Sequence, residues 1–241
     1  MADPNAPITP VPLPTIGEGG RVDPSVRTVL VVGGSFDPPH KAHVHLPLMA
    51  ARHLEARLDE PRGVWLLYVP AARSPFKKDG PRATDAQRIE MLTLATGHLP
   101  RCAVWTDEID RAIGGAPSYT VDTLRRLREW LDAHGGDEVR VRLLVGADQA
   151  AALDRWREAE AVVALAEPLV MARAGDDPSR FPQALGDWTR RLLPTPMMDA
   201  SSTAVRAAAA AGDFAALAKM LDASVLKVIQ RDGLYQPSGS E

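Results

Sequence analysis

The chain has 241 residues, 45% hydrophobic and 24% charged, which is enough for one sizeable core or a core with an appendage. Its 28 basic and 31 acidic residues nearly balance, leaving a formal charge of −3, so no broad electrostatic footprint for nucleic acid or an anionic membrane exists and any phosphate binding must be local. Cys102 is the only cysteine, which excludes a disulfide framework and a thiolate metal cluster. No apolar run approaches the ~18–20 residues of a membrane span. The N-terminus lacks the basic start and apolar core of a signal peptide, so a cytoplasmic protein is expected.

Residues 1–26 are rich in proline and glycine and carry no amphipathic period, which predicts a disordered or polyproline-like tail. The folded domain is expected over 27–236, with 237–241 as a second tail. "TVLVVG" reads as a buried strand, followed by "HVHLPLMAARHLEARL" as a helix in which Pro47 is tolerated in the early turns. "GVWLLYVP" is the next strand and "RSPFKKDGPR" a polar loop. "TDAQRIEMLTLATGH" opens on a Thr/Asp cap signal and runs helical. "CAVWTDEI" reads as a strand and "SYTVDTLRRLREWLDAHGG" as a helix ended by glycines. "EVRVRLLVG" is a strand and "DQAAALDRWREAEAVVALA" mostly helix. "PLVMAR" is a short strand, "RRLLPTP" a further candidate, and the segment between them a connector. "SSTAVRAAAAAG", "DFAALAKML" and "SVLKVIQRDG" are three short helices. Strand-length apolar runs alternating with amphipathic helices predict an α/β fold: a parallel sheet with helices on both faces and a small helical C-terminal part. Such sheets bind ligands at the carboxyl ends of their strands, near a topological switch point.

That prior singles out "GGSFDPPHKAH". Gly33 and Gly34 let backbone approach a ligand closely and can adopt positive φ. A glycine-ended strand leading into a helix is a natural phosphate cradle, although this one is neither a Walker loop nor GxGxxG. His40 and His43, three apart, share one face at the helix start, where two imidazole donors can grip polyphosphate oxygens and stabilise charge on a leaving pyrophosphate. The alternative is a pair that merely caps the helix or meets solvent. Zinc is disfavoured: there is no HExxH, and Asp37, in a proline turn, is better suited to shaping backbone.

Farther along, Ser201 or Ser202 is an N-cap candidate, with Thr203 and Arg206 in the first turn or so. This is either a second anion site or a capped helix with a surface arginine. Gly146 and Asp148 end a strand where a carboxylate can accept from ribose hydroxyls. Trp156, expected on the following helix, either stacks on a flat ring or belongs to the core. Ser118 and Thr120 start a helix whose amides can bind a carboxylate, or are simply its cap.

Together these segments resemble a known family. "GGSFDPPHKAH" and "SSTAVR" are similar to the GGxFDPxHxGH and SSTxxR signatures of nucleotidyltransferases. "PAARSPFKK", "APSYTVDTL", "GADQAAALDRW" and "DGLY" follow in the order and spacing of bacterial nicotinate-nucleotide adenylyltransferases. The resemblance spans residues 28–236 and implies a Rossmann-like fold and adenylyl transfer from ATP to nicotinate mononucleotide, giving deamido-NAD and pyrophosphate in NAD biosynthesis. It implies Mg²⁺ carried on the ATP phosphates rather than a protein metal site. Gly34, Ser35 and Phe36 would offer backbone to phosphates, and His40 and His43 would hold the triphosphate around its α-phosphate. Ser202, Thr203 and Arg206 would hold its far end, and Gly146 and Asp148 would seat the adenosine. Lys77, Tyr119, Thr120 and Trp156 would surround the nicotinate nucleotide, with loop amides near its carboxylate.

Two positions depart from the family pattern: Ala42 stands where HxGH has glycine, and Phe76 where histidine often precedes the loop lysine. They keep two alternatives open, a nicotinamide-mononucleotide enzyme and a drifted, non-catalytic nucleotide-binding member. ATP and the mononucleotide are the expected partners, with no nucleic acid and no membrane; assembly is open between monomer and homo-oligomer.

Overall fold

The computed structural model describes residues 13–16, 20–57, 63–73, 80–112, 117–172 and 175–237. Phe76 and Lys77 lie outside the described residues, as do 1–12 and 238–241 of the two expected tails. A hairpin of β1 (Thr15–Ile16) and β2 (Arg21–Val22) precedes β3 (Thr28–Gly34), α1 (Lys41–Arg57), β4 (Val64–Pro70), α2 (Asp85–Thr96), β5 (Cys102–Val104) and α3 (Asp107–Asp110). Then come α4 (Thr120–Ala133), β6 (Arg140–Gly146), α5 (Ala147–Ala150), α6 (Ala159–Leu165), β7 (Glu167–Ala172), β8 (Leu192–Pro194), α7 (Ser202–Ala210), α8 (Phe214–Met220) and α9 (Ala223–Arg231).

β3 to β8 form one six-stranded sheet in the order β5-β4-β3-β6-β7-β8, every pairing parallel. The first strand of this sheet lies inside it, between β4 and β6. The chain winds out from β3 to one edge, then returns to β3's other side, and the crevice between β3 and β6 is therefore the switch point. A strand buried on both faces must be apolar at successive residues, which is what "TVLVV" supplies. Val29 and Val31 pack in the layer that holds Leu124, Leu127 and Leu131 of α4. Leu30 and Val32 pack in the other, with Ala50 and Leu54 of α1 and Leu92 of α2. A third cluster joins Met91 and Ala95 of α2 to Val205, Leu217, Val225 and Ile229 of the C-terminal helices.

Local chemistry explains the helix ends near the sheet's carboxyl edge. α2 starts with a reciprocal capping box, in which Thr84 accepts from the Gln87 amide and Gln87 accepts from the Thr84 amide. Pro47, inside α1, cannot donate to the His43 carbonyl one turn earlier. The buried Tyr68 hydroxyl donates to that carbonyl instead, at 2.9 Å, so the proline leaves no orphan acceptor.

Three sequence expectations need correction. Within the expected disordered stretch 1–26, β1 and β2 pair, and Leu13, Val22 and Val26 are buried in the core; short apolar residues between prolines were enough to dock. "CAVWTDEI" is strand only to Val104, after which Asp107 opens a helical turn with its buried carboxylate bound by Arg111 and Arg126. The segment after β6 is not one helix: it breaks at Trp156, which is extended, and Glu158, which is left-handed at φ 51°. The connector before β8 contains two 3₁₀ turns folded over a Phe181–Trp188 edge contact, with the indole N–H donating to Pro182 O at 2.9 Å. No helix among the described residues is long and apolar enough to cross a membrane.

Candidate active site

The turn after β3 is built from outside. Three of its carbonyls are each held by a donor from another element. Arg88 of α2 donates to Ser35 O at 2.6 Å, Arg206 of α7 to Asp37 O at 2.7 Å, and Ser202 of α7 to Pro38 O at 2.9 Å. The Asp37 carboxylate is equally committed. It accepts from the Arg82 and Ala83 amides at 2.8 and 3.0 Å and from the Tyr235 hydroxyl at 2.8 Å. It therefore shapes backbone, as its proline context suggested, and pins the turn to the start of α2 and to the last aromatic residue of the chain. Phenol burial beside this carboxylate pushes the Tyr235 pKa up, which keeps it a donor. The structural strain of the turn falls on Phe36, at φ 47°, and not on Gly33 or Gly34. Gly34 matters for a different reason: a Cβ there would sit 3.0 Å from the Phe36 ring.

His40 and His43 come together as their spacing predicts, with rings stacked at 3.7 Å. The His40 amide donates to His43 Nδ1 at 3.2 Å, which leaves the His43 proton on Nε2. The His43 ring also meets Phe36 edge-on at 5.1 Å. His40 is only 8% exposed, and burial lowers its pKa to about 4, so it is neutral at pH 7. Ala42, the second residue of α1, is buried; alanine there favours the helix over glycine by up to ~1 kcal/mol.

Of the two cap candidates in "SSTAVR", Ser201 is the N-cap, accepting from the Ala204 amide at 3.1 Å. Ser202 is thereby released to bind Pro38 O. Arg206 also donates to the Thr203 hydroxyl at 3.3 Å. The two distant motifs are thus directly bonded to one another, 164 and 169 residues apart in sequence.

Beside this turn, at the switch point, opens a cavity of about 390 Å³. Gly33, Gly34, Ser35, Ser118, Tyr119, Thr120 and Trp156 all line it, together with Ala71, Gln149, Arg155 and Arg157. Trp156 lines the cavity and also packs against the core. Gln149, rather than Asp148, is the polar residue that the β6 end contributes to the lining; Gly146 is the cap of α5. The Arg157 guanidinium lies 4.7 Å over the Tyr119 ring, a cation–π contact at the cavity wall.

Sequence reasoning missed three residues here. Glu108 lines the cavity and accepts from the Ser118 and Thr123 hydroxyls, and burial raises its pKa. Arg88 is wholly buried beneath the turn. Tyr235 reaches Asp37 across 198 residues. Two of them left a signal: Arg88 occupies a core position in the stripe Arg88, Met91, Leu92, Ala95, where an apolar residue is expected, and Tyr235 closes the "DGLY" segment, to which no role was given.

A cytidylyltransferase-like family model matches residues 31–208, from β3 into α7, and so takes in both motifs. A probable nicotinate-nucleotide adenylyltransferase from Chromobacterium violaceum is 36% identical over 222 residues, 86% of this chain and 97% of that protein. The chain belongs to this family. A second relative under the same description, from Bordetella petrii, is 36% identical over 88% of this chain and 100% of its own. Among solved structures, Plasmodium falciparum nicotinic acid mononucleotide adenylyltransferase complexed with NaAD superposes with a TM-score of 0.62 at 16% identity, covering 87% of this chain and 97% of that one. It shares the Rossmann-like fold described above.

Proposed function

We infer that the protein transfers the adenylyl group of ATP to the phosphate of nicotinate mononucleotide, forming deamido-NAD and pyrophosphate. The observation that carries this reading is the juxtaposition of two unlike halves at one switch point: a bonded pair of anion-binding motifs, and a cavity walled by Tyr119 and Trp156. The first suits a triphosphate and the second a pyridine nucleotide.

In the reaction a phosphate oxygen of the mononucleotide attacks the α-phosphorus of ATP. A P–O bond forms there, and the bond to the bridging oxygen of the departing pyrophosphate breaks. The nucleophile is ionised at neutral pH, so no residue has to remove a proton. The work left to the protein is alignment and neutralisation of charge. His43, with its proton fixed on Nε2, is set as a hydrogen-bond donor to the α-phosphate region, and His40 supports it through the stacked ring and its amide. Thr203 and Arg206 stand ready for the far end of the triphosphate, with Ser201 and Ser202 fixing the start of their helix.

On the mononucleotide side, Ser118, Tyr119 and Thr120 present the start of α4, Trp156 offers a ring face, and Arg157 brings positive charge toward a nicotinate carboxylate. Lys77 joins this set in our reading by its place in the motif alone, and Gly146 and Asp148 join the adenosine side on the same ground. Among the described residues no cluster of three or more His, Cys, Asp or Glu could hold a metal ion, and Asp37 is already bound by two amides and a phenol. In our reading Mg²⁺ would be carried on the ATP phosphates, where it would supply charge neutralisation.

Incubation with ATP, Mg²⁺ and nicotinate mononucleotide should give deamido-NAD and pyrophosphate one for one, identified by mass. Absence of the dinucleotide would sink the assignment.

A further inference from the structure

Arg88 is the one fully buried charged side chain of α2, and its guanidinium makes two short contacts. One goes to Asp85 Oδ1 at 2.6 Å, one turn back on the same helix and half exposed. The other goes to the carbonyl of Ser35, 53 residues away, also at 2.6 Å. Burying a guanidinium is costly, and an exposed carboxylate one turn away does not require it. The Ser35 contact is what places the charge beneath the turn.

Ser35 C=O and Phe36 N–H belong to the same planar trans peptide unit, so they point in opposite directions. A donor that fixes the carbonyl fixes the amide as well. The two peptide units that follow Asp37 and Pro38 lead into prolines and carry no N–H, so the grips of Arg206 and Ser202 aim no amide. Arg88 acts on a unit that has one. No acceptor among the described residues meets the Phe36 amide, and Ser35 lines the cavity. A cation on the carbonyl side also polarises the unit, which strengthens its N–H as a donor.

We propose that Arg88 is a positioning residue: by holding Ser35 O from beneath, it aims the Phe36 amide at an ATP phosphate. The proposal rests on the ATP-dependent reading above, but it concerns binding of the nucleoside triphosphate rather than the identity of the acceptor. It follows that loss of Arg88 weakens ATP and not the mononucleotide. A merely structural arginine would lower stability and affect both substrates alike.

Three measurements decide it. For Arg88→Met, assayed well below its unfolding temperature, KM for ATP should rise about tenfold, as expected for one charge-assisted contact. KM for nicotinate mononucleotide should change less than twofold. Arg88→Lys, which can still reach Ser35 O, should recover part of the ATP loss. Equal effects on both substrates, or none on ATP, would overturn the proposal. In the unaltered protein, addition of β,γ-methylene-ATP should move the Phe36 amide proton downfield and slow its exchange with solvent. An unperturbed Phe36 amide in the bound complex would overturn the proposal even if neither variant folds. The readouts separate this idea from the functional assignment: binding of the analogue with the Phe36 signature, but no transfer to nicotinate mononucleotide, would sink the assignment and leave Arg88 in its role.

Discussion

At the scale of single residues, the two histidines differ in what their surroundings ask of them. His43 accepts from the His40 amide at Nδ1, so its ring donor is Nε2. In a reaction without proton transfer, such a donor acts only on developing phosphate charge. His43→Ala should therefore lower kcat about 10²–10³-fold, the range for removing one preorganised donor, while the circular dichroism spectrum is retained. Near-normal turnover would remove His43 from the mechanism. His40 makes a separate, pH-dependent contribution. Its folded-state pKa, about 4, lies below the ordinary value of 6.5, so the unfolded chain takes up the proton first. The stability held by neutral His40 is complete above pH 6.5 and is lost as pH falls toward 4, at up to about 1.4 kcal/mol per pH unit. Urea unfolding at several pH values should show this slope in the parent protein and a shallower one in His40→Gln. Identical slopes would mean that the buried imidazole titrates normally.

At the scale of elements, the site is a turn braced by helices that arrive late in the chain. α7 binds two of the turn's carbonyls, and Tyr235, just after α9, binds the Asp37 carboxylate. Tyr235→Phe leaves the ring in its cluster but removes the phenol donor from a buried acid. It should cost about 2 kcal/mol of unfolding free energy, typical for a hydrogen bond to a charged group. A loss below ~0.5 kcal/mol would show that the two amides alone satisfy Asp37. The elements also mark the boundary of what could be read in advance. β3, α2, α4 and the three C-terminal helices were legible, because apolar period, caps and glycine stops all agree there. The break at Trp156 was not: Glu158 takes a left-handed conformation that nothing in the neighbouring sequence demands, and its carboxylate pairs with Arg125 of α4, 33 residues away. The two motifs were legible as candidate anion sites on their own residues. Their direct bonding was not, because it joins carbonyls to side chains more than 160 residues apart, and backbone carbonyls carry no sequence identity.

At the scale of the whole molecule, the strand order places everything in one crevice. The crevice between β3 and β6 is the switch point, so the turn after β3 and the cavity share the rim formed by Gly33, Gly34 and Ser35. The alanine in the histidine motif fits this arrangement as a helix residue, buried in the first turn of α1. The retained donors argue against a drifted binding module, since both stacked histidines, Arg206 and the aromatic walls of the cavity are in place. The most direct test is the initial rate of pyrophosphate release with ATP and Mg²⁺, measured in parallel with nicotinate mononucleotide and nicotinamide mononucleotide. Release that depends on the mononucleotide and is faster with the nicotinate form is the predicted result. No release with either acceptor, or faster turnover of the amide, would contradict it.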